Sequence, residues 1–260
     1  MSNMKISNKL VIIVLSLSII LNIIFALYVY KRIDPGASAP VLRIAKILGK
    51  NKQHSSILHY ESNSAGKKIT RTMILNTLVE KYNYQSFLEI GQGQRFANFD
   101  WINCGIKIGV DPDKTLSAAY QTTSDEFFSK NKDSFDLIFI DGLHEADQVE
   151  KDITNALNVL NDNGTIVVHD CNPKTKEMQV VPRQVKYWSG DVWKAWVRLR
   201  SKRPNLKMFV IDADRGLGII RKGTQEIVII PEPLTYEELD KNRKVFLNLV
   251  DINFFLKDLR

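Results

Sequence analysis

At 260 residues, 44% hydrophobic and 25% charged, the chain has room for one sizeable core with an anchor and a tail, and its composition excludes a disordered or repeat architecture. The formal charge of +7 is concentrated between Lys31 and Tyr60, where Lys31, Arg32, Arg43, Lys46, Lys50 and Lys52 meet one acid, Asp34. A basic stretch beside an apolar segment suits anionic lipid headgroups better than nucleic acid, so no nucleic-acid partner is expected.

After a short tail (1–9), residues 10–30 run LVIIVLSLSIILNIIFALYVY without a charge. As a helix this run would span about 30 Å, the thickness of a bilayer's hydrocarbon core. Ala37-Ser38-Ala39 resembles a small-residue cleavage site, but Lys31 and Arg32 intervene and the run exceeds a usual signal core, so an uncleaved single-pass anchor is expected. Six Lys or Arg follow the span against Lys5 and Lys9 before it, which predicts a membrane protein with its larger part cytoplasmic.

Residues 31–69 open with a Pro- and Gly-bearing linker, and Val41, Ile44, Ala45 and Leu48 mark an amphipathic helix over 41–50. A second helix is predicted over 70–82, with Met73, Ile74, Leu78 and Val79 on one face. Strands SFLEI (86–90), IKIGV (106–110), FDLIFI (135–140) and TIVVHD (165–170) then alternate with helical patterns. The first glycines lead into a helix-compatible stretch, the helix from Glu145 reaches about Leu160, and Asn161-Asp162-Asn163-Gly164 reads as a turn. A helix over 191–200 precedes a hairpin of LKMFVI (206–211) and LGII (217–220). Continuous apolar strands between helices predict an α/β, doubly wound, mainly parallel sheet over residues 70–222. The extension 223–260 adds EIVII (226–230) and two helical stretches.

In such a sheet, ligands bind beyond the carboxyl ends of the strands, where Asp111, Asp141 and Asp170 fall. Gly91 and Gly93 allow close backbone approach, and Asp111 follows Gly91 by 20 residues, the spacing of an acid that accepts from ribose hydroxyls. Phe96 occupies the third position of G-x-G-x-x-G, and no phosphate-cradling G-x-x-x-x-G-K-[ST] occurs. A nucleoside ligand without phosphates is therefore indicated, as S-adenosylmethionine is. Cys104 and Cys171 have neither metal nor disulfide spacing and read as reduced thiols.

FLEIGQG, IGVDPD, TSDEFF, FDLIFIDGLHEADQV, GTIVVHDCNP and GDVWKAWVRLR resemble, in order and spacing, class I S-adenosylmethionine-dependent methyltransferases, closest to a bacterial subgroup with an Ile-Asp-Gly-Leu-His element after the fourth strand. The resemblance covers residues 85–222 and implies a seven-stranded sheet. By position it implies that Glu89, Gly91 and Gly93 form the methionine-side loop, that Asp111 binds the ribose, that Ser124 and Asp125 lie beside the adenine, and that Asp141 lies at the sulfonium side. Arg95 stands where the family has its third glycine, either crowding the loop or pairing with the cofactor's carboxylate. Related enzymes that bind a divalent metal imply Asp141, Asp170 and Asn172 as ligands of Mg2+, with His144 or His169 as the base beside Asp141. The loop 172–187, followed by Trp188, would close over the acceptor, whereas Trp193 and Trp196 read as helix packing.

The expected function is O-methylation of a small-molecule or glycan hydroxyl at the cytoplasmic membrane face. Two rivals stand beside it. Asp111-Pro112-Asp113 is formally the D-x-D of a membrane-anchored glycosyltransferase, and the altered third glycine suits a non-catalytic scaffold.

Overall fold

The computed structural model describes residues 56–59 and 68–259, all within a compact unit spanning Asn51–Arg260. The predicted span 10–30 and the amphipathic pattern 41–50 lie outside the described residues. Among the described residues no helix is long and apolar enough to cross a membrane.

Helix α1 (Arg71–Tyr82) begins where Thr70, in extended backbone, accepts from the Met73 amide, and it ends at Asn83, which takes the left-handed conformation (φ 52°). Four strands follow the predicted pattern: β1 (Ser86–Ile90), β2 (Ile106–Val110), β3 (Phe135–Ile140) and β4 (Leu160–Val168). They pair in parallel, and the predicted hairpin forms from β5 (Leu206–Ile211) and β6 (Leu217–Lys222), with β6 antiparallel to β4. A two-residue strand, β7 (Leu249–Val250), pairs in parallel with β5 and completes the order β2-β1-β3-β4-β6-β5-β7. The sheet is therefore seven-stranded, as expected, and mixed.

Alternate strand residues serve two cores. Leu88, Phe135, Ile138 and Ile140 face α3 (Ala146–Asn158), α4 (Val192–Lys202) and α5 (Tyr236–Leu247). Phe87, Leu137 and Phe139 face α1 and α6 (Ile252–Asp258). Coverage of both faces explains why these strands are apolar throughout rather than alternating. A short helix, α2 (Ser124–Lys130), is capped by Thr123 and sends Phe127 into the first core. The extension past residue 222 packs into the same two cores through Leu239, Phe246, Leu247 and Phe255. Trp193 and Trp196 are fully buried, as the packing reading of that helix expected.

EIVII (226–230) forms no strand: the outer edge of β5 is taken by Leu249–Val250, and Ile229 is left exposed. Two local expectations are corrected. Asn161–Gly164 is not a turn between elements but an irregularity inside β4, where Leu160 pairs with Phe135 and Thr165 with Leu137. The stretch after the first glycines is not a helix but two short 3-10 turns, Arg95–Ala97 and Phe99–Trp101.

Candidate active site

Parallel β1, β2, β3 and β4 place their carboxyl ends side by side, and the predicted residues gather there. Gly91 (φ 78°) and Gly93 (φ 55°) both lie in the left-handed region that the turn after β1 requires. The Gly93 amide donates to Asp111 Oδ2 (2.8 Å), and the Asp113 amide to Asp111 Oδ1 (2.9 Å), so the acid at the end of β2 is fixed by two backbone donors. A cleft of about 510 Å³ opens between these loops, lined by Gly91, Gly93, Asp111, Ser124, Asp125 and Asp141 among others. That size suits a single small-molecule ligand. At its far end Gln148 Nε2 donates to Ser124 Oγ (3.2 Å) and Asp125 Oδ1 (3.1 Å), while Lys151 pairs with Asp125.

Glu89 is not part of this lining. Its side chain is buried, Oε1 accepts from Asn98 Nδ2 (3.0 Å), and Oε2 has no partner. Burial outweighs that hydrogen bond and pushes the carboxyl up to about 8. Its folded value lies above its unfolded one, so the stability it contributes is complete below pH 4.5 and is lost as pH rises toward 8. Glu89→Gln should therefore gain on the wild type by up to about 1.4 kcal/mol per pH unit across that window. Melting curves recorded from pH 4.5 to 8 check this, and parallel curves for the two proteins would contradict it.

Arg95 forms an ion pair within its own loop: its Nε lies 3.0 Å from Asp100 Oδ1, and its guanidinium sits over the Phe99 ring. The glycosyltransferase pattern is not favoured: Asp113 Oδ1 accepts from the Thr115 amide and hydroxyl within its own turn.

The second cluster adjoins the cleft through Asp141. His169, fully buried, holds Nδ1 2.9 Å from Asp141 Oδ1 and 3.0 Å from Asp170 Oδ2, with Nε2 3.7 Å from Asp214 Oδ1. Burial alone would lower its pKa, but Asp141 and Asp170 outweigh it and hold the imidazole well above its usual range. For Asp141, burial pushes upward and is outweighed by His169, His144 and Arg71, which keep the carboxylate ionised well below its usual value. A buried cation flanked by carboxylates is a poor proton acceptor, so the expectation of His169 as the base is corrected. His144 is the partly open imidazole, with Nε2 3.3 Å from Asp141 Oδ1 and Nδ1 3.5 Å from Asp170 Oδ2. Trp188 stacks on it at 5.2 Å, and the Asp191 amide donates to its carbonyl (3.2 Å), which ties the loop after β4 to this histidine.

Several residues of the cluster were not singled out in the sequence. Arg71, the first residue of α1, bonds Asp141 through Nη1 and Asp214 through Nε (3.1 Å). Arg215 Nε donates to Asp170 Oδ1 (2.6 Å), as does the Ser189 hydroxyl (2.9 Å). Asp170, Asp214 and Arg215 all have positive φ (60°, 42° and 64°), so left-handed non-glycine backbone converges here. The Asp212–Gly216 turn between the hairpin strands was the available signal, since three charges in so short a turn at the carboxyl end of β5 have no packing purpose.

Asp141, His144 and Asp170 offer three donor atoms within 4.8 Å of one another. The predicted magnesium set nevertheless does not fit. Asn172 turns its oxygen to Arg243 Nη1 (2.6 Å) and its amide to Asp212 (3.0 Å), while Arg71 and Arg215 sit on the two carboxylates. What remains is one nitrogen and two shared carboxylates, not the oxygen-rich shell that magnesium prefers.

Residues 113–171 match the model of a family described as "Methyltransferase domain". No curated protein matches the chain. Among solved structures, a candidate caffeoyl-CoA O-methyltransferase of Staphylococcus aureus is 18% identical, with 78% of this chain and 100% of that one covered and a TM-score of 0.46. A methyltransferase of Podospora anserina, bound to SAH, is 15% identical over 58% of this chain and 77% of that one, with a TM-score of 0.44. An O-methyltransferase of Bacillus cereus in complex with SAH is 13% identical over 75% and 95%, with a TM-score of 0.41.

Proposed function

We infer that this chain is a class I S-adenosylmethionine-dependent methyltransferase that acts on a hydroxyl of a small-molecule or glycan acceptor. The observation that carries the reading is the continuity of the glycine-floored cleft with a partly open imidazole: Asp141 both lines the cleft and touches His144.

The cleft fits the cofactor in kind. Gly93 leaves open space where a Cβ would stand, and Asp111, held by two amides, keeps lone pairs for ribose hydroxyls. Ser124 and Asp125 flank the end where the base would lie. Bound S-adenosylmethionine supplies a methyl on a positively charged sulfur, which departs as a neutral thioether. The chain's own task is to hold the acceptor oxygen in line and to receive its proton. His144 is placed to accept that proton, with Asp141 and Asp170 beside the ring and Trp188 covering one face.

His144→Gln should lower turnover by about a hundred- to ten-thousand-fold while leaving cofactor affinity within about twofold. Calorimetric titration with S-adenosylmethionine, alongside mass-spectrometric detection of methylated products in cell-envelope extracts, tests both halves. A folded chain that binds no S-adenosylmethionine would end the methyltransferase reading.

The apolar run 10–30 and its basic flank support a membrane tether with the catalytic part on the cytoplasmic side. A lipid-linked or cell-envelope acceptor follows from that location. Retention of the chain in carbonate-washed membranes, and its release when residues 1–30 are removed, is the expected result.

A further inference from the structure

All three positions at which a divalent metal was expected are engaged by arginine: Arg71 on Asp141, Arg215 on Asp170 and Arg243 on the Asn172 oxygen. The three arginines come from the start of α1, the β5–β6 turn and α5, so three separate parts of the fold deliver a guanidinium to one place. We propose that Arg71 and Arg215 hold the electrostatic place of a divalent cation, so that the transfer reaction of this chain is metal-independent. The proposal rests on the methyltransferase reading.

Charge argues the same way. Asp141, Asp170 and Asp214 bring three negative charges, beside which Arg71, Arg215 and His169 already stand. Adding a dication to that set would leave positive charge in excess in a site where Asp170 is fully buried. Uncompensated charge in such a place is expensive. Geometry adds a second argument. Arg71 and His169 hold the two oxygens of Asp141, Arg215 holds Asp170 Oδ1, and Arg71 holds Asp214 Oδ2. Asp170 Oδ2, near His169 and His144, is left as a buried oxygen without a hydrogen bond, and one such oxygen is far short of the shell a hard dication prefers.

The backbone supports this as a built arrangement rather than a surface accident. Arg215 is held in the left-handed region (φ 64°), and its carbonyl accepts from the Asn172 amide (2.9 Å). Gly216, which follows at φ 94°, would meet the Asn172 amide nitrogen at 2.5 Å if it carried a Cβ. The turn is thus pressed closely onto the segment after β4. Beyond its bond to Asp170, the Arg215 guanidinium keeps its two terminal nitrogens without a partner among the described residues, and its side chain is 32% exposed. It can offer to an acceptor oxygen the positive charge that a metal would otherwise supply.

Manganese titration of the full chain, followed by the paramagnetic signal of free Mn2+, tests the proposal. Wild type should show no saturable site up to about 1 mM, the weak end of protein sites for hard cations. The double variant Arg71→Gln with Arg215→Gln should gain a site at least about tenfold tighter, because it frees Asp141 and Asp170 beside His144 of their guanidinium partners. Stoichiometric Mn2+ binding by wild type overturns the proposal. So does a double variant that melts cooperatively and gains nothing. If the double variant does not fold, Arg215→Gln alone is read against the same two outcomes. S-adenosylmethionine is titrated separately: its failure to bind wild type strikes the functional reading, whereas the manganese result strikes only the cation assignment.

Discussion

Gly91→Ala is expected to abolish S-adenosylmethionine binding and to destabilise the domain by roughly 2–5 kcal/mol, from left-handed backbone strain together with overpacking. At φ 78°, a Cβ on Gly91 would stand 2.3 Å from the Asp141 carbonyl oxygen and 2.4 Å from the Gly142 Cα. Those are backbone atoms of the loop after β3, and they cannot swing aside. The Asp141 amide is bonded to the Ile90 carbonyl (2.9 Å) and the Gly91 amide to the Val110 carbonyl (2.9 Å), so relief would mean parting the ends of β1, β2 and β3. Gly93→Ala is the control. It shares the left-handed conformation, but its Cβ would meet nothing within 4 Å, so only the conformational cost of about 1–2 kcal/mol applies. Thermal denaturation and calorimetric cofactor titration of both variants separate the contributions. Equal melting temperatures for the two would refute the steric argument.

Asp141→Asn should cost about 3–5 kcal/mol, because it strips a charged partner from buried groups while leaving those groups in place. Arg71 and His169 both lose a carboxylate, and no water-exposed position is available to the fully buried imidazole. The same substitution should change the shape of the stability profile. Asp141 and Asp214 have folded pKa values below their usual 3.8, so their contribution is present above that pH and is lost as pH falls through the folded values. His169 is raised above 6.5, so its contribution is present below that pH and is lost as pH rises through its folded value. The wild type should therefore be most stable between these limits, and Asp141→Asn should weaken the dependence on both sides. Chemical denaturation at pH 3, 5 and 8 is the measurement. An unchanged profile would show that the three groups do not titrate as a unit.

The legible part of this molecule is the part written in local periodicity. Apolar runs of five or six residues ending in Gly or Asp located β1 to β4 and their carboxyl ends, and the 20-residue step from Gly91 to Asp111 located both sides of the cleft. Composition misled where one signal serves two structures. Asn161-Asp162-Asn163-Gly164 has the residues of a turn, and an irregularity within a strand uses the same residues. EIVII has the apolar composition of a strand but forms none, and the edge of β5 is taken by Leu249 and Val250 later in the chain. The arginines were not legible for a different reason. Arg71 and Asp214 are separated by 143 residues, and an arginine carries no spacing motif of its own. Only the fold brings a helix start and a hairpin turn to the same carboxylates.

Arg71 is the first residue of its helix, and this sets a practical boundary for protein engineering. A fragment cut at the family-like segment, which begins near residue 85, would discard Arg71 together with the Thr70 cap that starts α1. It would also discard Ser56 and Ile57, which bond the Thr77 hydroxyl on that helix. Such a fragment keeps the cleft glycines yet leaves Asp141 and Asp214 without their shared guanidinium. Shortened versions made for crystallisation or screening should therefore begin before Ser56, and an inactive product from a later start would report on the cut rather than on the enzyme.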